Sequence, residues 1–525
     1  MVDATQHDCL EAAAAVGMAP AFVAARDPER VAVISEFGER SFGELDARAN
    51  QLVRALRARG VQSGAAVALM CKNRPEFVET WAAATRGGYR LTPVNWHLQA
   101  EETAYILNDC GARALVADGT FADAVAGAAA GAPELRARLS VGGHIDGFEP
   151  LDDALREQDP RPIADPRPGT SMLYTSGTTG RPKGVRKPPG SQGPSVPASA
   201  LGAPLVGGES LALCTGPLYH AAPYAYNLVQ PLTAGVGVVL MDRFDAEHTL
   251  RLIERHRVTH THMVATMFHR LLSLPEPTRA ACDVSSLRLV LHGAAPTPEH
   301  VKRAMIDWWG PIIHEYYAGT EGGSTLITAT EWLQRPGSVG RPTPGRVVEI
   351  LDDAGAPLPP GRVGRVFFHA PEAGGFTYHG DEARTRAAYE GRCFTLGDLG
   401  YLDDDGYLFL TGRTADRIIS GGVNIDPNEV DEVLHHHSAV DDVVTVGVPN
   451  EEFGEEVKAV VALRPGLQPS SALARELIDF TRERLAHYKC PRSVDFVDSL
   501  PRSPTGKLSR KQVRARYWEA TGREL

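Results

Sequence analysis

At 525 residues the chain is long enough for more than one domain, and its net charge of −11 leaves no basic excess to neutralise a phosphate backbone, which excludes nucleic acid as a partner. With 43% hydrophobic and 23% charged residues it can bury large cores, which excludes a disordered chain. The seven cysteines are an odd number scattered from Cys9 to Cys490 with no C-x-x-C pair, so neither a disulfide framework nor a zinc site is expected, and most read as small core residues.

The first twenty residues carry acids where a secretory signal would be basic, and no apolar run is long enough to span a bilayer, so a cytoplasmic protein without a transmembrane segment is expected. Up to about Pro168, helical periods such as FGELDARANQLVRALRARG alternate with short β-rich runs such as AAVALM and ARALVADG, the pattern of an α/β sheet with helical crossovers. The Pro/Gly-rich stretch 188–204 can continue neither helix nor strand and reads as a mobile loop. Alternation resumes from 205 to about 345, with SLRLVLHGAAP as a buried strand entering a turn. Near Val347 the pattern turns to short strands, the last an Asp-Gly hairpin, YLDDDGYLFLTGR. After Arg413 a helix, two strands and two more helices suffice for a small α+β domain.

LYTSGTTGRPKGVRK, Leu173 to Lys187, raises the question of which anion it holds. A Walker loop needs Lys directly after its second Gly, but here Arg181 and Pro182 separate Gly180 from Lys183. The composition still suits phosphate: glycines let backbone N–H groups turn inward, Thr175, Ser176, Thr178 and Thr179 offer hydroxyls, and Lys183 supplies charge. A pyrophosphate or a nucleotide tail is the natural guest, and a polar surface turn is the rival reading.

Residues 175–184 match T-S-G-T-T-G-x-P-K-G at every position, and PLYHAAP, LHGAAP, YYAGTEG, TLGDLGYLDDDGY, GRTADRIISGGVNI and PRSPTGKLSR follow in order. With these motifs the chain resembles the adenylate-forming superfamily of acyl-CoA synthetases, peptide-synthetase adenylation domains and luciferases over nearly its whole length. The resemblance implies a large N-terminal domain, 1–414, with α/β sheet subdomains and a small β subdomain that binds acid and ATP. It adds a small mobile α+β C-terminal domain, 415–525, which carries Lys507 and a CoA-tunnel face. The implied reaction turns a carboxylic acid and ATP into an acyl-adenylate and pyrophosphate, after which CoA displaces AMP. ATP and CoA are cosubstrates, Mg²⁺ is the cofactor, and a homodimer is compatible with the family.

Residue roles follow from the same resemblance. Thr175, Ser176, Gly177, Thr178, Thr179 and Gly180 cradle phosphate with Lys183. Glu315, Tyr316 and Tyr317 border the nucleotide, Tyr317 against adenine; Thr320 donates to phosphate and Glu321 holds Mg²⁺. Gly293, Ala294 and Ala295 form a wall between the adenine and acyl pockets. Asp398 and Arg413 suit a ribose diol as acceptor and donor. Lys507 reaches the acyl carboxylate and the α-phosphate, and His220 gates the acyl carboxylate and thiol tunnel. Gly421 and Gly422 line the pantetheine tunnel, and Ala415 is the hinge.

PLYHAAPYAY lacks the Asp that amino-acid-activating relatives use against a substrate ammonium, which points to an acid without an α-amino group; the small residues of HAAP and GAAP imply a roomy pocket for a fatty or bulky acid. Ala415, Val423 and Ala318 depart from the family pattern and put the balance of the two half-reactions in question. A variant that mainly thioesterifies a supplied acyl-adenylate and a module that loads a carrier protein therefore stay open beside the acyl-CoA ligase. HHH at 435–437 reads as a solvated helix end rather than a metal tract, DDD at 403–405 as turn chemistry, and Phe453 as a packing residue.

Overall fold

A computed structural model describes residues 4–175, 182–188, 196–295, 297–372, 374–413, 416, 418–420, 423–450, 453–503 and 506–519. The helix Phe42–Ala58 shows how local chemistry sets the first layer. Ser41 Oγ accepts the Glu44 N–H at 3.2 Å while Glu44 Oε2 accepts the Ser41 N–H at 2.8 Å, closing a capping box. Leu45, Ala49, Leu52, Val53 and Leu56, spaced three and four apart, are buried from that one helix. They pack on a six-stranded parallel sheet ordered 149–150, 137–141, 112–118, 66–70, 90–93, 170–171. The strand Ala66–Met70 is buried throughout, and its residues alternate between two cores: Val67 and Leu69 face the layer with Phe77 and Trp81, Ala66, Ala68 and Met70 the layer with Ile106 and Val125. Both faces of the parallel sheet are therefore covered, as its run of apolar residues requires.

The largest sheet has fourteen strands. Its parallel part runs 313–317, 289–292, 260–263, 211–214, 237–240, 31–35. At Thr325–Ile327 the pairing turns antiparallel and continues through 338–342, 408–413, 393–402, 364–369 and 348–351. The Asp-Gly hairpin forms as its spelling predicts: Asp403 Oδ1 accepts the Asp405 and Tyr407 N–H groups, and Gly406 takes φ +79°. A separate sheet gathers 418–420, 423–425, 440–450 and 454–463, around which pack helices Pro427–His435, Ser471–Arg482 and Arg510–Glu519. The border between 414 and 415 lies outside the described residues. Among the described residues no helix is long and apolar enough to cross a membrane.

Three expectations change. The stretch 188–204 is not simply a mobile loop: residues 189–195 lie outside the described residues, but Val196 and Leu201 are buried against Tyr226, Leu289 and Leu291, and the Val196 N–H donates to the Tyr226 hydroxyl at 3.2 Å. Ala198–Ala200 forms a turn of 3-10 helix there, so Pro and Gly forbid neither short regular structure nor burial. HHH is not a wholly solvated helix end, because His437 is buried, crosses Phe480 edge-on at 4.8 Å and lies 3.3 Å from Glu476. The strand Ser493–Val497, parallel to Gly454–Leu463, adds an element that the sequence reading left out.

Candidate active site

Parallel strands leave their carboxyl ends open to a ligand, and several of the predicted residues follow those ends. Cys214 is followed by the turn to His220, Met263 by Thr266, His292 by Gly293–Ala295, and Tyr317 by the loop with Thr320 and Glu321. Gly293 is required by space, since a Cβ would stand 2.5 Å from the Tyr316 carbonyl oxygen. Ala294 takes φ +66°, a left-handed conformation that costs an L-residue about 1–2 kcal/mol. Strain of this kind concentrates at binding sites.

Strand alternation sorts 315–317. Glu315 turns into the core, where Oε2 lies 2.5 Å from Lys302 Nζ and 3.6 Å from His292 Nε2. This corrects its expected place at the nucleotide: its carboxylate neutralises a buried lysine. Tyr316 is also buried, its hydroxyl 3.1 Å from His262 Nε2 and its ring 4.9 Å from that of Tyr226, so its side chain too belongs to the core. Tyr317 points elsewhere and donates to Asp398 Oδ2 at 2.5 Å. Asp398 is opposite Arg413 in the ladder between Cys393–Leu402 and Leu408–Arg413, which brings the two ribose candidates to one register position.

The loop after Tyr317 is pinned by two backbone bonds, Gly319 N–H to Gly322 O at 3.0 Å and Gly322 N–H to Gly319 O at 3.2 Å. Gly323 has φ +70° and faces the Phe368 ring, 2.7 Å from where a Cβ would sit. Glu321 Oε1 thereby meets the Tyr378 hydroxyl at 2.9 Å. Lys183 Nζ stands 5.2 Å above the Tyr378 ring. Burial and Arg384 lower the Lys183 ammonium while Glu321 and Asp381 oppose the shift. Lys187 is more perturbed: burial pushes it down to about 8, with Glu321 opposing and Arg346 reinforcing. A carboxylate between two lysines, with one oxygen held by a phenol, suits a hard cation that must also sit against phosphate. Thr320 is half-buried in the same loop.

His220 is half-buried, its ring tilted at 44° to that of Tyr219 with centroids 4.6 Å apart, and its Nε2 is buried without a hydrogen-bond partner among the described residues. Burial, then Lys507 and His97, push it down to about 3, so it is neutral at physiological pH. Lys507 comes from the far end of the chain. Its loop is closed by Ser503 N–H to Lys507 O and Gly506 N–H to Ser503 O, both at 2.8 Å, and Gly506 takes φ +78°. A Cβ on Gly506 would lie 2.2 Å from Thr266 Oγ1, so the C-terminal loop rests directly on the N-terminal sheet's open end. Thr175 pairs with Lys183 across the ladder. Ser176, Gly177, Thr178, Thr179, Gly180, Ala415, Gly421 and Gly422 lie outside the described residues.

Behind the strand ends, Tyr226 and the neighbouring Leu201, His260, Leu289 and Leu291 leave a hollow of about 20 Å³. Sequence reasoning missed Lys187 and Tyr378. Lys187 was in view, four residues after Lys183 in the same cationic run; Tyr378 gave no local signal, being brought in by its pairing with Val185.

Open strand ends, a phosphate-suited cation cluster, a diol-suited Asp and a distant lysine define an enzyme that handles a nucleotide and a second anion. Residues 21–375 match the family described as AMP-binding enzyme, and residues 429–507 match the AMP-binding enzyme C-terminal domain. The fatty acid–[acyl-carrier-protein] ligase ScoC of Streptomyces coeruleorubidus is 32% identical over 96% of this chain and 96% of its own. The medium/long-chain-fatty-acid–CoA ligase FadD8 of Mycobacterium tuberculosis is 33% identical over 92% and 86%. The crystal structure of the anthranilate CoA ligase AuaEII in complex with anthranoyl-AMP is 28% identical, covers 96% of this chain and 98% of that one, and superposes with a TM-score of 0.83. The chain belongs to the AMP-binding enzyme family. It is an AMP-forming acid–thiol ligase.

Proposed function

We propose that the residues gathered at the strand ends run both half-reactions on a carboxylic acid with an apolar acyl group and no α-amino group. The single observation that carries this reading is Lys507, delivered by a loop seated on Thr266 to the neighbourhood of His220. In the first step the acid's carboxylate attacks the α-phosphorus of ATP and pyrophosphate leaves. Lys507 stabilises the charge developing on the α-phosphate and orients the carboxylate. Lys183 and Lys187 attract the phosphate tail, Asp398 accepts from the ribose and Tyr317 bounds the base. Glu321 is the residue to hold Mg²⁺, which when bound neutralises phosphate charge. In the second step the CoA thiol attacks the acyl carbonyl and AMP leaves. Neutral His220 beside the acyl carboxylate avoids placing a second positive charge next to Lys507.

Lys507 cannot serve the first step and vacate the carbonyl for a thiol from one position. The 1–414 and 415–525 units are therefore proposed to move relative to each other around Ala415, bringing Gly421 and Gly422 to the pantetheine. A cytoplasmic location is part of the proposal, and a homodimer is compatible with it. A second reading, in which the acceptor is a carrier-protein pantetheine, is favoured by the 32% identity to ScoC, whose name is that of an acyl-carrier-protein ligase. Incubation with ATP, Mg²⁺ and a panel of aryl, branched and straight-chain acids, with CoA in one arm and a phosphopantetheinylated carrier protein in the other, separates the two by product mass. The proposal expects AMP and an acyl-CoA. Acyl transfer confined to the carrier protein supports the second reading, and no AMP-linked product from any acid refutes both.

A further inference from the structure

Away from the nucleotide groove, three adjacent antiparallel strands, Val348–Leu351, Gly364–His369 and Cys393–Leu402, present two different faces. On one, Val348, Phe368 and Phe394 stand in direct register, Val348 opposite Phe368 and Phe368 opposite Phe394, and are buried in the β-subdomain core with Ile350 and Val366. One residue along, side chains reverse. His369 pairs directly with Cys393, and Glu349, opposite Phe367, is the diagonal neighbour of His369. A carboxylate, an imidazole and a thiol from three strands thus share one face, and their ligand atoms all lie within 4.8 Å of one another.

Distances within the trio come within a few tenths of an ångström of a tetrahedral edge, through different oxygens of Glu349. His369 Nε2 is 3.1 Å from Glu349 Oε1, and Cys393 Sγ is 3.9 Å from Glu349 Oε2. With bonds of about 2.0–2.3 Å, the edge of a tetrahedral zinc site is about 3.3–3.8 Å. An exposed His–Glu pair alone would carry little weight, since such pairs contribute about 0–1 kcal/mol. The second observation is at the imidazole: Nε2 of His369 is buried and makes no hydrogen bond among the described residues, although it faces the carboxylate. Neither neighbour satisfies that nitrogen in hydrogen-bond geometry, and a cation placed among the three donors would. The His369 and Glu349 side chains are 40% and 37% exposed, which leaves an ion access from solvent.

We propose that Glu349, His369 and Cys393 form a zinc-binding site, with the fourth position open to water or to an exogenous ligand. Borderline-soft Zn²⁺ suits one oxygen, one nitrogen and one sulfur donor, whereas Mg²⁺ disfavours the thiol and imidazole. Three strands fixed by the Val348–Phe368–Phe394 row hold the donors more rigidly than a loop would. The spacing signal for zinc in sequence is a pair of cysteines two apart; here the donors are assembled by strand register from positions 349, 369 and 393, which explains why the cysteine pattern gave none.

The test uses the untagged full-length chain, freed of metal and kept reduced, without ATP or Mg²⁺. Titration with Co²⁺ is expected to give a thiolate-to-cobalt charge-transfer band that saturates at one ion per chain and is displaced by one equivalent of Zn²⁺. Cys393→Ser should abolish the band, Cys282→Ser should leave it unchanged, and His369→Gln should weaken Co²⁺ binding by about tenfold or more, the loss that even a supporting residue of a metal site commonly causes. Circular dichroism of each variant reports its folding, and Glu349→Gln provides a second ligand deletion should His369→Gln be unstable. A wild-type protein with no thiolate–cobalt band, or a band that survives Cys393→Ser, overturns the site.

Discussion

Asp398 is a buried carboxylate that accepts a hydrogen bond from Tyr317 at 2.5 Å, and an acceptor-only group of this kind suits the hydroxyls of a diol. Hydrogen bonds to a charged group are worth about 1.5–3 kcal/mol, so Asp398→Ala should raise the KM for ATP about 10- to 100-fold in initial-rate measurements, with folding retained. An unchanged KM would remove Asp398 from the nucleotide site. Glu315, one strand position from Tyr316 and two from Tyr317, is the contrasting case. Its carboxylate balances Lys302 in the core, and removing it would leave a buried ammonium unpaired, a stability defect rather than a binding one. Two carboxylates placed at the nucleotide by the same resemblance therefore part company according to what each touches.

At the level of elements, the turn around Gly506 is a device for placing one ammonium. Gly506 combines φ +78° with a contact that leaves no space for a side chain, because Thr266 Oγ1 would stand 2.2 Å from its Cβ. Gly506→Val should therefore disfavour the arrangement with Lys507 at His220: acyl-adenylate formation falls by at least about tenfold, while transfer from a supplied acyl-adenylate to CoA changes far less, as read by separate half-reaction assays. Equal losses in both would contradict the placement. This loop was legible in the sequence through the resemblance of its motif, PRSPTGKLSR, to that of the adenylate-forming superfamily. The Asp-Gly hairpin was legible from its own spelling. Side-chain direction was not: whether Glu315 faces core or cleft depends on which phase of the strand alternation the sheet adopts. Nor were pairings across the chain, since Tyr378 reaches Glu321 and Cys393 reaches Glu349 only through strand order and register.

For the molecule as a whole, burial of neutral histidines ties stability to pH. His262, packed among Tyr226 and Tyr316, is pushed down to about 3 by burial, from an ordinary 6.5. The unfolded chain therefore binds a proton that the folded one refuses, and the contribution of His262 is fully present above about pH 6.5 and is lost as pH falls toward 3, at about 1.4 kcal/mol per pH unit. Asp426 and Asp431, both raised to about 6 by burial, act in the opposite sense, their contribution being lost as pH rises toward 6. A comparison with His262→Asn cancels those terms: urea unfolding at pH 7 and pH 5 should show the wild type losing more stability on acidification than the variant, and parallel losses would contradict the neutral buried His262. Movement of the two units between half-reactions is the claim on which the functional account turns, and Lys507→Ala tests it most directly. Acyl-adenylate formation from acid and ATP should fall by about 10²- to 10³-fold, while thioester formation from a supplied acyl-adenylate and CoA proceeds near the wild-type rate; an equal loss in both half-reactions would contradict it.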